Sequence, residues 1–301
     1  MSLGNKKIEW NGSFLEKNSS NIKFEVEVGL TDGKFVLRDA GNGFYQSKST
    51  SLNLPKVRNG IPILTRGENT YFHFPAEYVW ELVLDGITSS QMKECKVLLK
   101  EGKQEFKKEW LKVLYPALTD ENFLFLKKND TVFCSYLYLT SSWLGPPFGR
   151  GNTTQKKFSL VREVIIKNLN LSNTIQDTML LIKRTKLRTL KNYNEVYDIC
   201  EKYCAEKSLK LVVFDDSKKL GNVASQLKKF NSAKVIVGSH GAGFTNLIAC
   251  KDGIKFIEFC TKIAPNCFET IANALNIEHH AIDIHRGRGV DLKEFNEMLK
   301  V

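Results

Sequence analysis

The sequence has few prolines, no internal repeat and no long apolar run. Of its 301 residues, 7 are proline and 20 are glycine, which excludes collagen-like and low-complexity chains. The longest stretch without a charge, Thr131 to Gly149, is interrupted by Gly145-Pro146-Pro147, so it predicts a buried strand and a loop, not a membrane span. With 42% hydrophobic and 26% charged residues, the composition is typical of a folded globular protein.

The cysteines form no metal-binding or redox motif. They number 7 and no two of them make a CxxC pair, which excludes zinc ribbons and thioredoxin-type sites. Core thiols in a reducing compartment are expected. No signal-peptide pattern opens the sequence, which favours a cytoplasmic location, with or without membrane association. The lumen of the secretory pathway is the alternative if an anchor upstream has been removed.

Acidic residues are too few to balance the basic ones. Lys and Arg total 44 and Asp and Glu 33, which gives a formal net charge of +11. Such a charge attracts nucleic acid, an anionic membrane surface or phosphorylated small molecules. Because the lysines are scattered along the chain, a solvated lysine-rich surface explains the charge equally well.

The second half alternates apolar runs with polar, helix-like stretches, a pattern typical of a Rossmann-like parallel sheet. The predicted strands are 178–182, 211–214, 235–237, 255–259 and 280–284. The predicted helices are 193–207, 220–230, 244–250, 264–275 and a last one from Asp291. In the first half the same alternation begins near Ile61, with a helix predicted over 72–85. Two α/β domains are therefore expected, 1–170 and 171–301.

The segment Gly238-Ser239-His240-Gly241-Ala242-Gly243 joins a predicted strand directly to a predicted helix. Its small residues allow close approach of a ligand, and the N–H groups at a helix start suit a phosphate or diphosphate. His240 lies at the tip, beyond the carboxyl end of the strand, where open sheets bind ligands. The spacing is not GxGxxG, so a dinucleotide is not indicated. A tight turn that needs glycine only for packing explains the segment equally well.

Two further groups belong to the same edge of the predicted sheet. Arg184 and Arg188 follow the strand 178–182, and an arginine fork matches phosphate oxygens, although a solvated turn is the usual setting of such charges. Glu258 lies near the end of the strand 255–259, where a carboxylate can accept hydrogen bonds from ribose hydroxyls or be an ordinary strand-end acid.

His73 and Glu77 form a candidate acid–base pair in the first half. If a helix begins near Phe72, they are four residues apart on one face, with Pro75 in the first turn. Such a pair can serve as a base and its orienting partner. A lone histidine bonded to a local acid is the alternative.

Taken in order, these motifs resemble glycosyltransferase family 61. They are Tyr-Phe-His-Phe-x-x-Glu at 71–77, Arg-x-x-x-Arg-x-x-x-Asn at 184–192, Gly-x-His-Gly-Ala-Gly-x-Thr-Asn at 238–246, and the strand-end Glu258. Phe244 replaces the usual leucine. The family includes protein O-linked N-acetylglucosaminyltransferases, plant xylan arabinosyl- and xylosyltransferases and bacterial capsular polysaccharide enzymes.

The resemblance implies an α/β fold of the GT-B type, in which two Rossmann-like domains face each other across a cleft. It implies an inverting glycosyltransferase that moves a hexose or pentose from a nucleotide-sugar to a hydroxyl of a glycan or protein. The second domain would bind the donor, and His73 or Glu77 of the acceptor-side domain would be the base. The donor-binding residues would be Arg184, Arg188, His240, Gly241, Ala242, Gly243, Thr245, Asn246 and Glu258.

No metal or other cofactor is expected. The sequence has no Asp-x-Asp motif, so arginines and backbone N–H groups are expected to neutralise the leaving diphosphate. The expected partners are the nucleotide-sugar, a glycan or glycoprotein acceptor, and an anionic membrane contacted peripherally. Acceptor contacts are expected from the first domain and from the aromatic segment 143–148, although a packed loop explains that segment better.

Two other functions stay open at this point. A nucleic-acid-binding protein suits the charge, but no known binding motif is present and aromatic residues are not interleaved with the basic ones. A catalytically inactive relative that only binds a glycan or nucleotide would keep the same motifs.

Overall fold

The computed structural model describes residues 2–3, 6–7, 26–31, 34–39, 56–63, 69–102, 104–127, 131–137, 152–260, 267–284 and 289–300. The chain divides into two compact units, Met1–Gly149 and Arg150–Val301. This division precedes the helix at Asn152–Asn168, whereas the predicted boundary follows it. The donor and acceptor roles of the units stay predictions, and the segment 143–148 lies outside the described residues.

The first unit contains a mixed sheet. Its strands are β1 (Ser2–Leu3), β2 (Lys6–Lys7), β3 (Val26–Thr31), β4 (Lys34–Asp39), β5 (Lys56–Ile63), β6 (Lys96–Lys100), β7 (Phe123–Leu126) and β8 (Thr131–Leu137). Strands β1 and β2 pair with each other, and the other six form one sheet in the order β4-β3-β8-β5-β6-β7. Strands β5 to β8 run parallel, and β3 is antiparallel to both of its neighbours.

The helices of this unit pack through aromatic side chains. They are a π-helical turn (Phe74–Val79), α1 (Trp80–Leu84), α2 (Ser89–Lys93), α3 (Gln104–Leu114) and a 3₁₀ turn (Asp120–Asn122). Trp80 and Trp110 are fully buried and pack edge to face, with 6.0 Å between their ring centroids. Phe74 meets Phe106 in the same way at 5.6 Å. The predicted helix 72–85 is therefore confirmed, but its first turns are π-helical.

The second unit is built on a five-stranded parallel sheet. Its strands are β9 (Thr178–Lys183), β10 (Lys210–Asp215), β11 (Ala233–Ser239), β12 (Lys255–Cys260) and β13 (Glu278–Asp283). They lie in the order β10-β9-β11-β12-β13, and every pair is parallel. The predicted α/β class with a parallel sheet is confirmed, and the sheet is consistent with a Rossmann-like fold.

The helices connect these strands and bury both faces of the sheet. They are α4 (Asn152–Asn168), α5 (Tyr193–Lys207), α6 (Val223–Asn231), a 3₁₀ helix (Ala242–Ala249), α7 (Cys267–Ala274) and α8 (Leu292–Lys300). Alternate strand residues such as Val235 and Val237 pack with Val196 of α5 and Phe295 of α8. No helix among these described segments is long and apolar enough to cross a membrane.

One element differs in kind from its prediction. The segment expected to be an α-helix over 244–250 is a 3₁₀ helix that begins at Ala242. The Thr245 hydroxyl donates to the Ala242 carbonyl at 2.7 Å, and the Asn246 amide donates to the Gly243 carbonyl at 3.1 Å. Because both bonds reach back three residues, they favour the tighter 3₁₀ geometry.

Candidate functional site

The order of the strands in the second unit reverses between β9 and β11. The chain passes from β9 to β10 on one side of β9 and then returns to β11 on its other side. Open parallel sheets bind ligands beyond the carboxyl ends of their strands at such a reversal. Two segments lie at this point: the arginine loop, residues 183–188, and the glycine turn, residues 238–243. The sequence-predicted donor residues are concentrated in them.

Gly238 is required by packing between strands. A Cβ atom at this position would lie 2.5 Å from the Cβ of Ile182 and 2.8 Å from its carbonyl oxygen. Both of these atoms belong to the neighbouring strand β9, which cannot move away without breaking the sheet. The packing explanation of the glycines is therefore correct for Gly238.

Gly241 is required by a side chain. A Cβ atom there would lie 1.7 Å from Arg184 Nη1 and 2.9 Å from Arg184 Cζ. The guanidinium group of Arg184 thus lies directly against the backbone of the glycine turn. Gly243 has only an ordinary contact, 3.5 Å from the ring of Phe214. Gly238 and Gly241 are therefore required for different reasons, and sterics do not require a glycine at position 243.

Arg184 is well placed to receive an anion. Its side chain is 19% exposed, and its Nε lies 3.0 Å from Asp216 Oδ2. The Nε–H group does not point along this contact, and the described part of the chain offers it no hydrogen-bond acceptor. Buried donors without an acceptor are rare in native proteins. Nε itself is buried, so an anionic ligand would contact the exposed part of the same side chain.

His240 is fixed at the tip of the glycine turn by its backbone and its ring. Its N–H donates to the Phe259 carbonyl at 2.9 Å, and its own carbonyl accepts a hydrogen bond from Arg188 Nη1 at 3.1 Å. Arg188 has a φ of +59°, which is uncommon for a residue other than glycine. The second arginine therefore holds the turn, in addition to placing positive charge beside it.

A buried carboxylate lies beneath His240. Glu258 is fully buried, with Oε1 2.6 Å from His240 Nδ1 and Oε2 3.1 Å from His279 Nε2. A buried charge is tolerated only when it is paired and hydrogen-bonded, as this one is. The His279 ring also stacks on Phe256, with 4.9 Å between centroids. Because Glu258 is fully buried, it cannot contact a ribose directly unless the side chains that cover it move.

The deeper residues of the motif lie under the turn. Thr245 and Asn246 are fully buried, and their side chains bond to backbone carbonyls of the turn itself. Ala242 is half-buried above them. Through these bonds Thr245 and Asn246 shape the turn that carries the exposed groups.

Asn192, the last residue of the arginine motif, ties two elements together. Its amide donates to the Val290 carbonyl at 2.8 Å and accepts from the Val290 N–H at 3.0 Å. A Cβ atom at Gly289 would lie 2.1 Å from Asn192 Oδ1. The motif therefore fixes the start of α5 against the segment that precedes α8.

Asp216 and His279 are parts of this region that sequence reasoning missed. Asp216 follows β10 and contacts the arginine loop, and His279 contacts Glu258 from β13. Neither belongs to a motif, and each contacts its partner from the adjacent strand of the sheet. The one available signal was the position of Asp216 at a strand end of the ligand-binding edge.

In the first unit, His73 and Glu77 are brought together as predicted. His73 Nδ1 hydrogen-bonds with Glu77 Oε1, and the two side chains are 47% and 9% exposed. The bond orients the imidazole and leaves Nε2 as its second functional nitrogen. Both residues belong to the π-helical turn or its cap, and such turns are frequent at functional sites.

No metal cluster accompanies these groups in the described segments. Among them, no three His, Cys, Asp or Glu side chains are grouped so as to hold a metal ion. The second unit instead contains the Arg184 guanidinium, packed against the glycine turn, and the His240 imidazole, oriented by the buried Glu258 carboxylate. This set of groups suits the recognition of a diphosphate.

Comparison with known proteins supports a specific family. Residues 71–257 match the family described as Glycosyltransferase 61, so more than half of the chain is covered. A beta-1,2-xylosyltransferase from Oryza sativa subsp. japonica is 31% identical over 97 residues, which are 32% of this chain and 18% of the rice enzyme. The alignment thus spans less than a fifth of that relative. The match confirms the resemblance identified from the motifs.

Proposed function

Because the chain belongs to glycosyltransferase family 61, we propose that it transfers a sugar from a nucleotide-sugar to a hydroxyl group of a glycan or protein acceptor. The observation that carries the proposal is the Arg184 guanidinium, which lies against Gly241 of the glycine turn at the strand-order reversal. A nucleoside diphosphate has the negative charge and the acceptor oxygens that a guanidinium binds.

We propose that the second unit binds the donor. Arg184 would contact the diphosphate, and Arg188 would add charge while holding the His240 carbonyl. The small residues Gly241, Ala242 and Gly243 would let the phosphates approach the backbone. Glu258 would act through His240, whose Nδ1 it holds, so that Nε2 is the ring nitrogen left for the donor. Thr245 and Asn246 would keep the turn in shape from below.

The reaction proposed is a single in-line displacement with inversion at the sugar carbon. One base deprotonates the acceptor hydroxyl, the new glycosidic bond forms, and the bond to the diphosphate breaks. The His73–Glu77 pair has the geometry of a base and its orienting partner, and His73 is the more exposed of the two. The GT-B arrangement, with the first unit on the acceptor side, belongs to this proposal and rests on the family resemblance.

Metal independence is also part of the proposal. As the diphosphate leaves, negative charge develops on it, and Arg184 and Arg188 can stabilise that charge electrostatically. The test is turnover in EDTA compared with Mg²⁺ and Mn²⁺. Equal rates support arginine-based stabilisation, and activity that requires a divalent ion contradicts it.

The experiment that tests the function measures nucleoside diphosphate release from a panel of nucleotide-sugars. The panel includes pentose donors, because the rice relative is described as a xylosyltransferase. We expect one donor to be consumed, and we expect His73→Ala and Glu77→Gln each to slow turnover by roughly 10²- to 10⁴-fold, the range for a general base and its partner. The matched control is His280→Ala, which disrupts a second His–Glu pair, His280 with Glu278 at 2.6 Å.

Two results would contradict the proposal. Donor binding without any turnover would identify an inactive relative of the family. Turnover that survives both His73→Ala and Glu77→Gln at the wild-type rate would remove the pair from the mechanism while leaving the donor site in place.

A further inference from the structure

Asp216 lies where the loops after two neighbouring strands meet. It directly follows β10, whose neighbour β9 leads into the arginine loop. The Asp216 N–H donates to the Lys183 carbonyl at 3.1 Å, so the backbones of the two loops are already joined at this point. The Asp216 side chain therefore starts from a fixed position beside Arg184.

The two carboxylate oxygens of Asp216 have separate partners. Oδ1 accepts hydrogen bonds from the Thr185 N–H at 2.8 Å and from the Thr185 hydroxyl at 2.6 Å. Oδ2 lies 3.0 Å from Arg184 Nε, and the two side chains are 28% and 19% exposed. One oxygen thus holds the arginine loop by hydrogen bonds, and the other attracts its guanidinium as an ion pair.

We propose that Asp216 is a positioning residue of the donor site, which holds the Arg184 guanidinium against Gly241 before the donor arrives. This proposal rests on the proposed function, since it assumes that Arg184 binds the donor diphosphate. A guanidinium that is already in place loses less side-chain freedom when the ligand binds, which strengthens binding. Asp216 does not itself touch the donor.

The proposal and simple electrostatics predict opposite changes in nucleotide affinity when the Asp216 charge is removed. A carboxylate near an anionic ligand repels it, so removal of the charge should tighten nucleotide binding if repulsion were the main effect. If Asp216 acts by placing Arg184, removal of the charge should weaken binding instead. The direction of the change therefore separates the two explanations.

Asp216→Asn is the informative substitution. Its amide oxygen can still accept both hydrogen bonds from Thr185, while an NH₂ group replaces the oxygen beside Arg184. Asp177→Asn is the matched control, because Asp177 forms a similar exposed ion pair, 2.7 Å from Lys210, at the opposite edge of the same sheet. Both substitutions remove one negative charge from the second unit.

The experiment measures nucleoside diphosphate affinity by calorimetry and the donor KM and kcat of the full chain. For Asp216→Asn we expect Kd and KM to rise about fivefold, the upper end for an exposed ion pair. Because Arg184 also stabilises the leaving diphosphate, kcat should fall by no more than about the same factor. In an Arg184→Ala background the same substitution should leave Kd and KM at the values of the Arg184→Ala variant. Thermal melting and Asp216→Ser, a second variant with a short acceptor for Thr185, check that any loss of binding is not a loss of folding.

Several outcomes would overturn the proposal. Equal or tighter binding by Asp216→Asn, or a fivefold loss that persists without Arg184, would show that Asp216 does not act by positioning that arginine. Either result would leave the proposed function intact if Arg184→Ala still weakens binding. Failure of the wild-type protein to bind any nucleoside diphosphate would instead count against the proposed function, and this inference would fall with it.

Discussion

Substitution of Gly241 by alanine should separate ligand binding from stability. The added Cβ would occupy the place of Arg184 Nη1, which lies 1.7 Å from it. Gly241 has a φ of 177°, an extended conformation that alanine adopts without strain. The atom displaced is the far end of a flexible side chain, so the backbone can stay as it is and Arg184 must move.

The expected losses of stability and of nucleotide affinity follow from the two contacts that Arg184 loses when it moves. Its contact with Asp216 is a partly exposed ion pair, worth about 0.2–1 kcal/mol, so the free energy of unfolding should fall by no more than about 1 kcal/mol. Loss of a charge-assisted hydrogen bond to the diphosphate removes about 1.5–3 kcal/mol of binding energy. The Kd for the nucleoside diphosphate should therefore rise roughly 10- to 150-fold.

Gly238→Ala is the contrasting variant in the same motif. Its Cβ would lie 2.5 Å from the Cβ of Ile182 in the neighbouring strand, so it should lower the free energy of unfolding by about 1–3 kcal/mol. Urea denaturation and calorimetry on both variants give the comparison. The reasoning is wrong if Gly241→Ala binds nucleotide as tightly as wild type, or if it weakens binding equally in an Arg184→Ala background.

Three further predictions concern stability. Asn192→Ala should lower the free energy of unfolding by about 1–3 kcal/mol in urea, since it leaves the Val290 N–H and carbonyl without their partner; a change near zero would contradict this. Glu258→Gln should also lower the free energy of unfolding by about 1–3 kcal/mol, because the single oxygen of an amide cannot accept hydrogen bonds from both His240 and His279. Unchanged stability in urea would refute this prediction. Burial raises the pKa of the Cys95 and Cys204 thiols from 9.0 to about 11. The folded state then holds protons that the unfolded state loses, so the contribution of these thiols to stability should be constant below pH 9 and fall as the pH rises towards 11, and stability should fall less steeply in Cys204→Ala. An unchanged denaturation midpoint from pH 8 to pH 11 would show that these thiols do not contribute.

The parallel sheet of the second unit could be predicted because its strands are buried on both faces. Such strands appear as continuous apolar runs, and β9, β11 and β12 begin or end within two residues of their predicted bounds. The edge at which Arg184, His240 and Glu258 meet followed from the same pattern, since the carboxyl ends of parallel strands share one edge.

The role of each glycine could not be predicted from the motif. Gly238 faces a neighbouring strand and Gly241 faces a side chain from the preceding loop, and both distances depend on strand register. Asp216 and His279 were missed for the same reason, because their partners lie on other strands. The 3₁₀ geometry after the glycine turn depends on two side-chain bonds, from Thr245 and Asn246, that local propensity does not reveal.

The central claim is that the second unit binds a nucleoside diphosphate through Arg184. The direct measurement is thermal unfolding of wild type and Arg184→Ala with UDP, GDP, CMP, TDP and ADP, each in EDTA and in Mn²⁺. A ligand at about 100 times its Kd adds about 2.7 kcal/mol to stability, which a melting curve resolves. We predict that one nucleotide stabilises the wild-type protein selectively and that Arg184→Ala, although folded, loses most of that shift. An equal shift in both proteins, or none in either, would contradict the claim.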